Sequence, residues 1–366
     1  MVIGGGAREH SLVWKLAQSP KVDEIYVAPG NAGTGAIAHN LNISPTNIEA
    51  LAKAAQQYNI ALTVVGPEAP LASGIVDLFQ SRGLLIFGSS QAATQLESSK
   101  VFAKELMQKR GIPCAHGAIF SSLAQARDYA KSQPFPIVIK ADGLAAGKGA
   151  IVATSQEHAL EAIKDMMERR VFGAAGDRVI VDEYLSGREV SLLAFTDGKT
   201  VSPMVPACDY KRVFDGDRGP NTGGMGSYSP PGFFDQQQVE LAQRTILEPV
   251  VQAMAQEGTP YKGVLYAGLM VTPDGINVLE FNARFGDPET QVMIPRLRTD
   301  LVDIMLATIH GNLDKIKIEW SDEACVGVVM ASAGYPGSYK TGFPIKGLDK
   351  LDEDILVFHA GTKAGK

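Results

Sequence analysis

Three stretches of this 366-residue chain carry residue types that could handle a polyphosphate. The first, IVIKADGLAAGKG (residues 137–149), sets Lys140 at the end of an apolar run and Lys148 between two glycines. Backbone N–H groups in such a turn can converge on phosphate oxygens, and the two cations can neutralise their charge. The spacing is not that of a P-loop, and no Ser or Thr follows Lys148. Alone, the stretch also fits a glycine-rich hairpin with solvated lysines. The second, VIVDEYLSGRE (179–189), follows a strand-like run with an acidic, aromatic and apolar sequence. It could frame a purine and offer a carboxylate to ribose hydroxyls, although alone it reads more simply as strand, turn and strand. The third, VLEFNARFGDPE (278–289), puts Glu280, Asn282 and Arg284 at alternate positions, hence on one face of a predicted strand. A carboxylate beside an amide oxygen suits Mg²⁺, which takes hard oxygen ligands and keeps phosphate oxygens as partners. An arginine next in line can hold a phosphoryl group as charge develops on it. A polar sheet face with a local ion pair is the plainer alternative.

The elements that must position these residues follow from the hydrophobic pattern. Runs at 1–3, 24–28, 62–65 and 84–87 read as strands, with helical spacing at 10–18, 47–57 and 74–81. Alternation of this kind predicts a doubly wound parallel sheet with ligand loops at the strand C-termini, here 4–6, 29–31, 66–68 and 88–90. Residues 101–110 look helical. Strands are expected at 136–140, 150–153 and 178–183 around a helix at 157–169. From Glu189 onward, Asp197-Gly198 and Asp274-Gly275 suggest antiparallel hairpins, separated by a long helix near 236–256. The segment 213–232, dense in Gly, Pro, Asn and Asp, reads as a long mobile loop, and a small final unit begins after Trp320.

Composition narrows the class. A chain of 366 residues predicts about two to four packed units. Apolar residues at 45% and charged residues at 20% are those of a globular protein. A formal charge of −6 leaves no broad basic face, so no nucleic-acid partner is expected. Cys114, Cys208 and Cys325 have neither metal-ligand nor CxxC spacing and read as buried small apolar residues. Without an apolar run of spanning length or a leader pattern, no membrane association and a cytoplasmic location are expected.

The order of the motifs, two lysines in a glycine-rich turn, an acidic hinge and a late Glu-x-Asn-x-Arg strand, resembles the ATP-grasp superfamily. Four longer stretches narrow the resemblance to the phosphoribosylamine–glycine ligase family: GPEAPL (66–71), KADGLAAGKG (140–149), PNTGGMG (220–226) and EFNARFGDPE (280–289). It extends from Gly4 to Lys363. The resemblance implies an N-terminal substrate-binding α/β domain at 1–98, an ATP-grasp lid with its lead-in helix at 99–185, a larger ATP-grasp subdomain at 186–318 and a small β-rich C-terminal domain at 319–366. That family's chain continues past the HAGTK segment (359–363), so the last domain is expected to be truncated, and the start is also short.

The resemblance also implies roles. Lys140, Lys148, Lys100, Gly143, Gly147 and Gly149 would surround the ATP phosphates, with Glu183, Tyr184 and Leu185 as the adenine hinge and Glu189 on the ribose. Glu280 and Asn282 match the family's ligands for Mg²⁺ or Mn²⁺. Arg284 would grip the transferring phosphoryl group or the glycine carboxylate. Gly4, Gly5, Gly6, Arg8 and Glu9 lie where a strand opens into a helix, a place that favours phosphate; the resemblance gives that end to 5-phosphoribosylamine, with Glu68 nearby. Glu9 stands where a dinucleotide fingerprint needs glycine, which weakens a dehydrogenase reading. Ala7 replaces the family's usual glycine and is tolerated unless that position needs a positive φ. Asp209, Lys211, Arg212, Thr222, Gly223, Gly224, Met225 and Asp287 are expected on the substrate side, facing a small amino acid. The expected reaction joins glycine to 5-phosphoribosylamine through glycyl phosphate, with the loops 143–149 and 213–232 closing against water. Another ATP-grasp carboxylate–amine ligase, a biotin-carboxylase-like enzyme and a non-catalytic nucleotide sensor are the alternatives. A monomer or weak dimer is expected.

Overall fold

The computed structural model describes residues 1–144, 149–216 and 218–365. The first unit alternates β1 (Val2–Gly4), α1 (Ala7–Leu16), β2 (Tyr26–Pro29), β3 (His39–Asn40), α2 (Ile48–Gln57), β4 (Thr63–Val65), α3 (Glu68–Ala72), α4 (Ile75–Ser81) and β5 (Ile86–Phe87). Its five strands are parallel in the order β3-β2-β1-β4-β5. Local chemistry sets the helix starts: the Asn47 side chain accepts the Ala50 N–H, and Leu51, Ala52, Ala54 and Ala55 then turn one apolar face inward. The doubly wound sheet expected from the alternation is present.

Two helices lead out of this unit, α5 (Gln91–Ser98) and α6 (Lys100–Arg110). Next come β6 (Gly117–Phe120), α7 (Leu123–Ser132), β7 (Ile137–Ala141), β8 (Ala150–Ala153), α8 (Gln156–Met167) and β9 (Val179–Glu183). These strands form an antiparallel sheet in the order β6-β9-β7-β8, with α7 and α8 burying Ala126, Ala130, Ile163 and Met166 against it.

The remaining strands are β10 (Arg188–Asp197), β11 (Val201–Pro203), β12 (Cys208–Asp209), β13 (Arg212–Phe214), β14 (Arg218–Asn221), β15 (Gly226–Ser229), β16 (Lys262–Thr272), β17 (Gly275–Asn282) and β18 (Cys325–Val328). The helices are α9 (Gln236–Ala242), α10 (Glu248–Gln256), α11 (Thr290–Met293) and α12 (Leu301–His310). The order β11-β10-β16-β17 makes the largest antiparallel sheet. Leu192 and Ala194 of β10 join a core with α9 and α10, while Leu193 and Phe195 join another with α12. Both faces are covered, so β10 and β16 are buried almost continuously rather than at alternate residues.

Segment 213–232 is not the long loop its composition suggested. β13 and β14 form a hairpin turning at Gly216, whose φ is 71°, and β15 pairs with both β12 and β18. Glycine here serves close pairing: a Cβ on Gly226 would lie 2.5 Å from the Gly327 carbonyl oxygen. The expected long helix is one rod interrupted by a π turn at Gln243–Leu247, directly before Pro249, which lacks an N–H to continue the α pattern. Helices α3, α5, α7, α11 and α12 were not anticipated. Of the cysteines, all unpaired, Cys208 is buried while Cys114 and Cys325 are only half-buried. No helix among the described residues is long and apolar enough to cross a membrane.

Leu265 in β16 is fully buried in the core shared with α9 and α10. Leu265→Ala is expected to lower stability by about 2–5 kcal/mol, measured by chemical denaturation.

Candidate active site

A cavity of about 430 Å³ opens where the three sheets converge. Strand β17 supplies Glu280 and Asn282 to its wall, and the turn after it supplies Arg284, Asp287 and Glu289. Lys140 enters from β7, and Lys100 from the first turn of α6. A bulge in the β16–β17 register lies between Gly268, paired with Glu280, and Leu269, paired with Val278. Glu280, Asn282 and Arg284 all reach the same cavity, as the alternation implied.

Arg284 is held from several sides. Its guanidinium meets Glu68 Oε2 at 3.1 Å and Glu97 Oε1 at 3.2 Å, and donates to Asn282 Oδ1 at 3.3 Å. Burial works against its charge, but Glu97 and Glu68 outweigh it and raise its pKa. Glu97 also accepts the Ala283 N–H at 2.7 Å, which fixes the turn carrying the arginine. Burial pushes the Glu97 carboxyl above its usual range in spite of Arg284.

Glu280 is open to the cavity, with protein surrounding it. Enclosure would raise its pKa, but Lys211, Lys100, Lys140 and Arg284 together hold it below the usual carboxylate value. Enclosure lowers the pKa of Lys100, with Glu280 opposing and Lys140 reinforcing that shift. Lys100 donates to the Gly143 carbonyl at 2.8 Å. Asp142 accepts both the Ser99 hydroxyl at 2.9 Å and the Val101 N–H at 3.2 Å, tying the glycine-rich turn to the start of α6. Gly147 and Lys148 lie outside the described residues.

At the other end the cavity has apolar walls, among them Leu96, Met107, Ile180 and Val278. The residues expected as the hinge lie beside this end. Glu183 turns away to accept the His116 N–H at 2.7 Å, Tyr184 is exposed, and neither they nor Leu185 line the cavity. Its neighbour Asp182 does, because alternate residues of β9 face opposite sides. Glu189 also lies outside the lining and pairs with Lys211 at 3.2 Å.

The N-terminal glycines lie beside the Glu9 side chain or the turn at Gly30. Gly4, Gly5 and Gly6 do not line the cavity, and the Gly6 N–H donates to Glu9 Oε2 at 2.7 Å. A Cβ on Gly4 or Gly66 would come within 2.4 or 2.2 Å of the Glu9 side chain, so these glycines make room for a buried carboxylate. Glu9 in turn pairs with Arg8 at 2.6 Å, and Arg8 reaches the cavity. Ala7 begins α1 in helical conformation, so its side chain is accommodated. Asp209, Lys211, Thr222 and Gly223 line the cavity; Gly224, Met225 and Arg212 do not.

Three models of one family match this chain: Phosphoribosylglycinamide synthetase N domain over residues 1–97, its ATP-grasp (A) domain over 98–290 and its C domain over 325–366. A phosphoribosylamine–glycine ligase of Halalkalibacterium halodurans is 52% identical over 99% of this chain and 84% of its own. The chain belongs to the phosphoribosylamine–glycine ligase family. The crystal structure of phosphoribosylamine–glycine ligase from Thermotoga maritima matches with a TM-score of 0.86 and 31% identity, covering 100% of this chain and 87% of that one. A biotin carboxylase of Campylobacter jejuni, at 17% identity and a TM-score of 0.68, covering 87% of this chain and 73% of its own, shares the fold alone. This chain is therefore an ATP-grasp ligase, an enzyme of a class that uses ATP and a divalent metal.

Sequence reasoning missed Glu97, Lys104, Asp182, Tyr266 and Glu289 as cavity residues. Asp182 and Glu289 lay within quoted motifs but were given no role there. The others lie in helices and strands that read as ordinary. Glu289 is buried and accepts the Ser191 hydroxyl at 2.8 Å and the Tyr266 hydroxyl at 2.9 Å. Asp209 Oδ1 is buried without a hydrogen-bond partner among the described residues. Burial, and then repulsion from Glu289, push its carboxyl from 3.8 to about 8. A carboxyl raised in the folded state supports folding below its unfolded pKa and loses that support as pH rises through the folded one. Asp209→Asn is therefore expected to become more stable than the wild type as pH climbs from 3.8 toward about 8. Denaturation curves below and above that window check this, and a stability difference independent of pH would contradict it.

Proposed function

We infer that this protein ligates glycine to 5-phosphoribosylamine at the expense of ATP, giving glycinamide ribonucleotide, ADP and phosphate, a step of purine biosynthesis. The observation that carries the reading is the convergence of Lys100, Lys140, Glu280, Asn282 and Arg284, from three parts of the chain, on one cavity. A carboxylate resists nucleophilic attack because the incoming electrons meet an existing negative charge. Phosphorylation removes that obstacle: the glycine carboxylate attacks the γ-phosphorus, ADP departs, and glycyl phosphate carries a good leaving group. The amine of phosphoribosylamine then attacks the acyl carbon, phosphate leaves, and the nitrogen gives up a proton to form the amide.

The protein's part is chiefly electrostatic, since two anions must meet in line. Lys100, Lys140 and Lys148 are proposed to hold the phosphates. Arg284, pre-aimed by Glu68 and Glu97, would grip the transferring group or the glycine carboxylate. The donor set of Glu280 and Asn282 fits a hard divalent ion, Mg²⁺ or Mn²⁺, and the low pKa of Glu280 keeps that carboxylate charged for it. Such an ion, when bound, neutralises charge on the phosphate oxygens.

Asp209, Lys211, Thr222, Gly223, Glu68, Arg8 and Asp287 are proposed for the substrate side, supported by their place on the same cavity. The proposed division of the chain remains 1–98, 99–185, 186–318 and 319–366. A cytoplasmic monomer or weak dimer without nucleic-acid or membrane partners completes the reading.

ADP release in the presence of glycine and freshly generated phosphoribosylamine tests it, with bicarbonate or D-alanine as competing acceptors. Turnover is expected only with the first pair. Lys148→Ala is expected to lose at least about a hundredfold in kcat while remaining folded, in line with removal of one electrostatic donor.

A further inference from the structure

Lys140 does not reach the cavity alone. It touches Asp182 Oδ2 at 3.1 Å, and the other oxygen of that carboxylate meets Lys104 at 2.8 Å. Lys104 lies one helical turn after Lys100 on α6 and is only 2% exposed; Asp182 is 3% exposed. Lys104 also donates to the Ala115 carbonyl oxygen and approaches the Cys114 sulfur at 3.8 Å. Three elements are shaped around the carboxylate. Lys140 pairs with Ile180 and Val138 with Asp182, which makes Lys140 and Asp182 diagonal neighbours on one face of the sheet. Opposite Asp182 on β6 stands Gly117, where a Cβ would lie 2.2 Å from Asp182 Oδ1. The carboxylate is thus boxed in, with one cation behind it and one in front.

A buried ammonium is expensive to keep, and a well-packed apolar side chain of similar volume often serves stability as well or better. Its retention here is explained by charge balance at Lys140. With Lys104 present, the trio of Lys104, Asp182 and Lys140 carries one net positive charge toward the cavity. Without Lys104, Asp182 would neutralise Lys140 and draw it back from an incoming anion.

We propose that Lys104 is a positioning residue for nucleotide binding, acting through Asp182 to keep the Lys140 ammonium forward and uncompensated. This rests on the reading of the cavity as the nucleotide site. Lys104 is assigned no contact with the phosphates.

A double-mutant cycle on the full chain tests the relay, with ADP and ATP affinities from calorimetry and KM values from turnover. Lys104→Met is expected to weaken ADP binding by about tenfold and leave the glycine KM unchanged, while Lys104→Arg stays within about threefold of the wild type. In a Lys140→Met background the same Lys104→Met change is expected to alter ADP affinity by less than about twofold, because its target is gone. Equal effects in both backgrounds, an unchanged ADP affinity, or a glycine KM moving in step would overturn the inference. Should Lys104→Met fail to fold, Asp182→Asn replaces it in the cycle, with the same dependence on Lys140 expected. Failure of the wild type to bind either nucleotide would sink the nucleotide reading itself; binding without coupling sinks only the relay.

Discussion

Four cations, Lys100, Lys140, Lys211 and Arg284, crowd the single carboxylate of Glu280 and keep it ionised. Positive charges at such density repel one another, and the rest of the site is organised to hold them there. Glu68 and Glu97 brace Arg284 from the first unit and the lead-in helix, and Asp182 lies beside Lys140. Two of these acids are themselves immobilised: Glu97 by the Ala283 N–H, Asp182 by Lys104. The charges of the site are therefore already in place without a ligand, the arrangement that electrostatic preorganisation requires.

That placement requires a rigid platform. The neighbouring strands β10 and β16 are packed on both faces, and β17 joins one core through Ile276, Val278 and Phe281 while presenting Glu280 and Asn282 to the cavity. The turn after β17 is further fixed by Arg8, which donates to the Phe285 carbonyl oxygen at 3.1 Å, and by Ser227, which donates to that of Pro288 at 2.8 Å. The parallel unit and the segment β12–β15 thus both grip the same short turn. A site assembled between units in this way can gather residues that no single element could present together.

At the substrate end the structure stores tension of another kind. Asp209 and Glu289 bring two carboxyls near one another, and only Glu289 has its hydrogen bonds satisfied. The fold tolerates this because Ser191 and Tyr266 stabilise one charge while the other carboxyl stays largely protonated near neutral pH. Gly4, Gly6 and Gly66 likewise leave room for the protein's own Glu9.

The sequence by itself determined the parallel unit, the two hairpin turns, the two chemical stretches around Lys140 and Glu280, and the family. These are legible because hydrophobic periodicity, turn residues and contiguous motifs are local properties of the chain. Only the tertiary structure decided that Glu97, Lys104 and Tyr266 belong to the site, since each sits in an element whose pattern is that of an ordinary core face. It also decided that Asp182 rather than Glu183 faces the cavity, a one-residue choice set by the pairing of β9 with β6 and β7. Segment 213–232 was misread for the same reason: its glycines and prolines signal turns, but β15 takes its place in a sheet from β12 and from the distant β18. Register and long-range pairing depend on which partners the chain meets after folding, and residue type at one position carries no record of them.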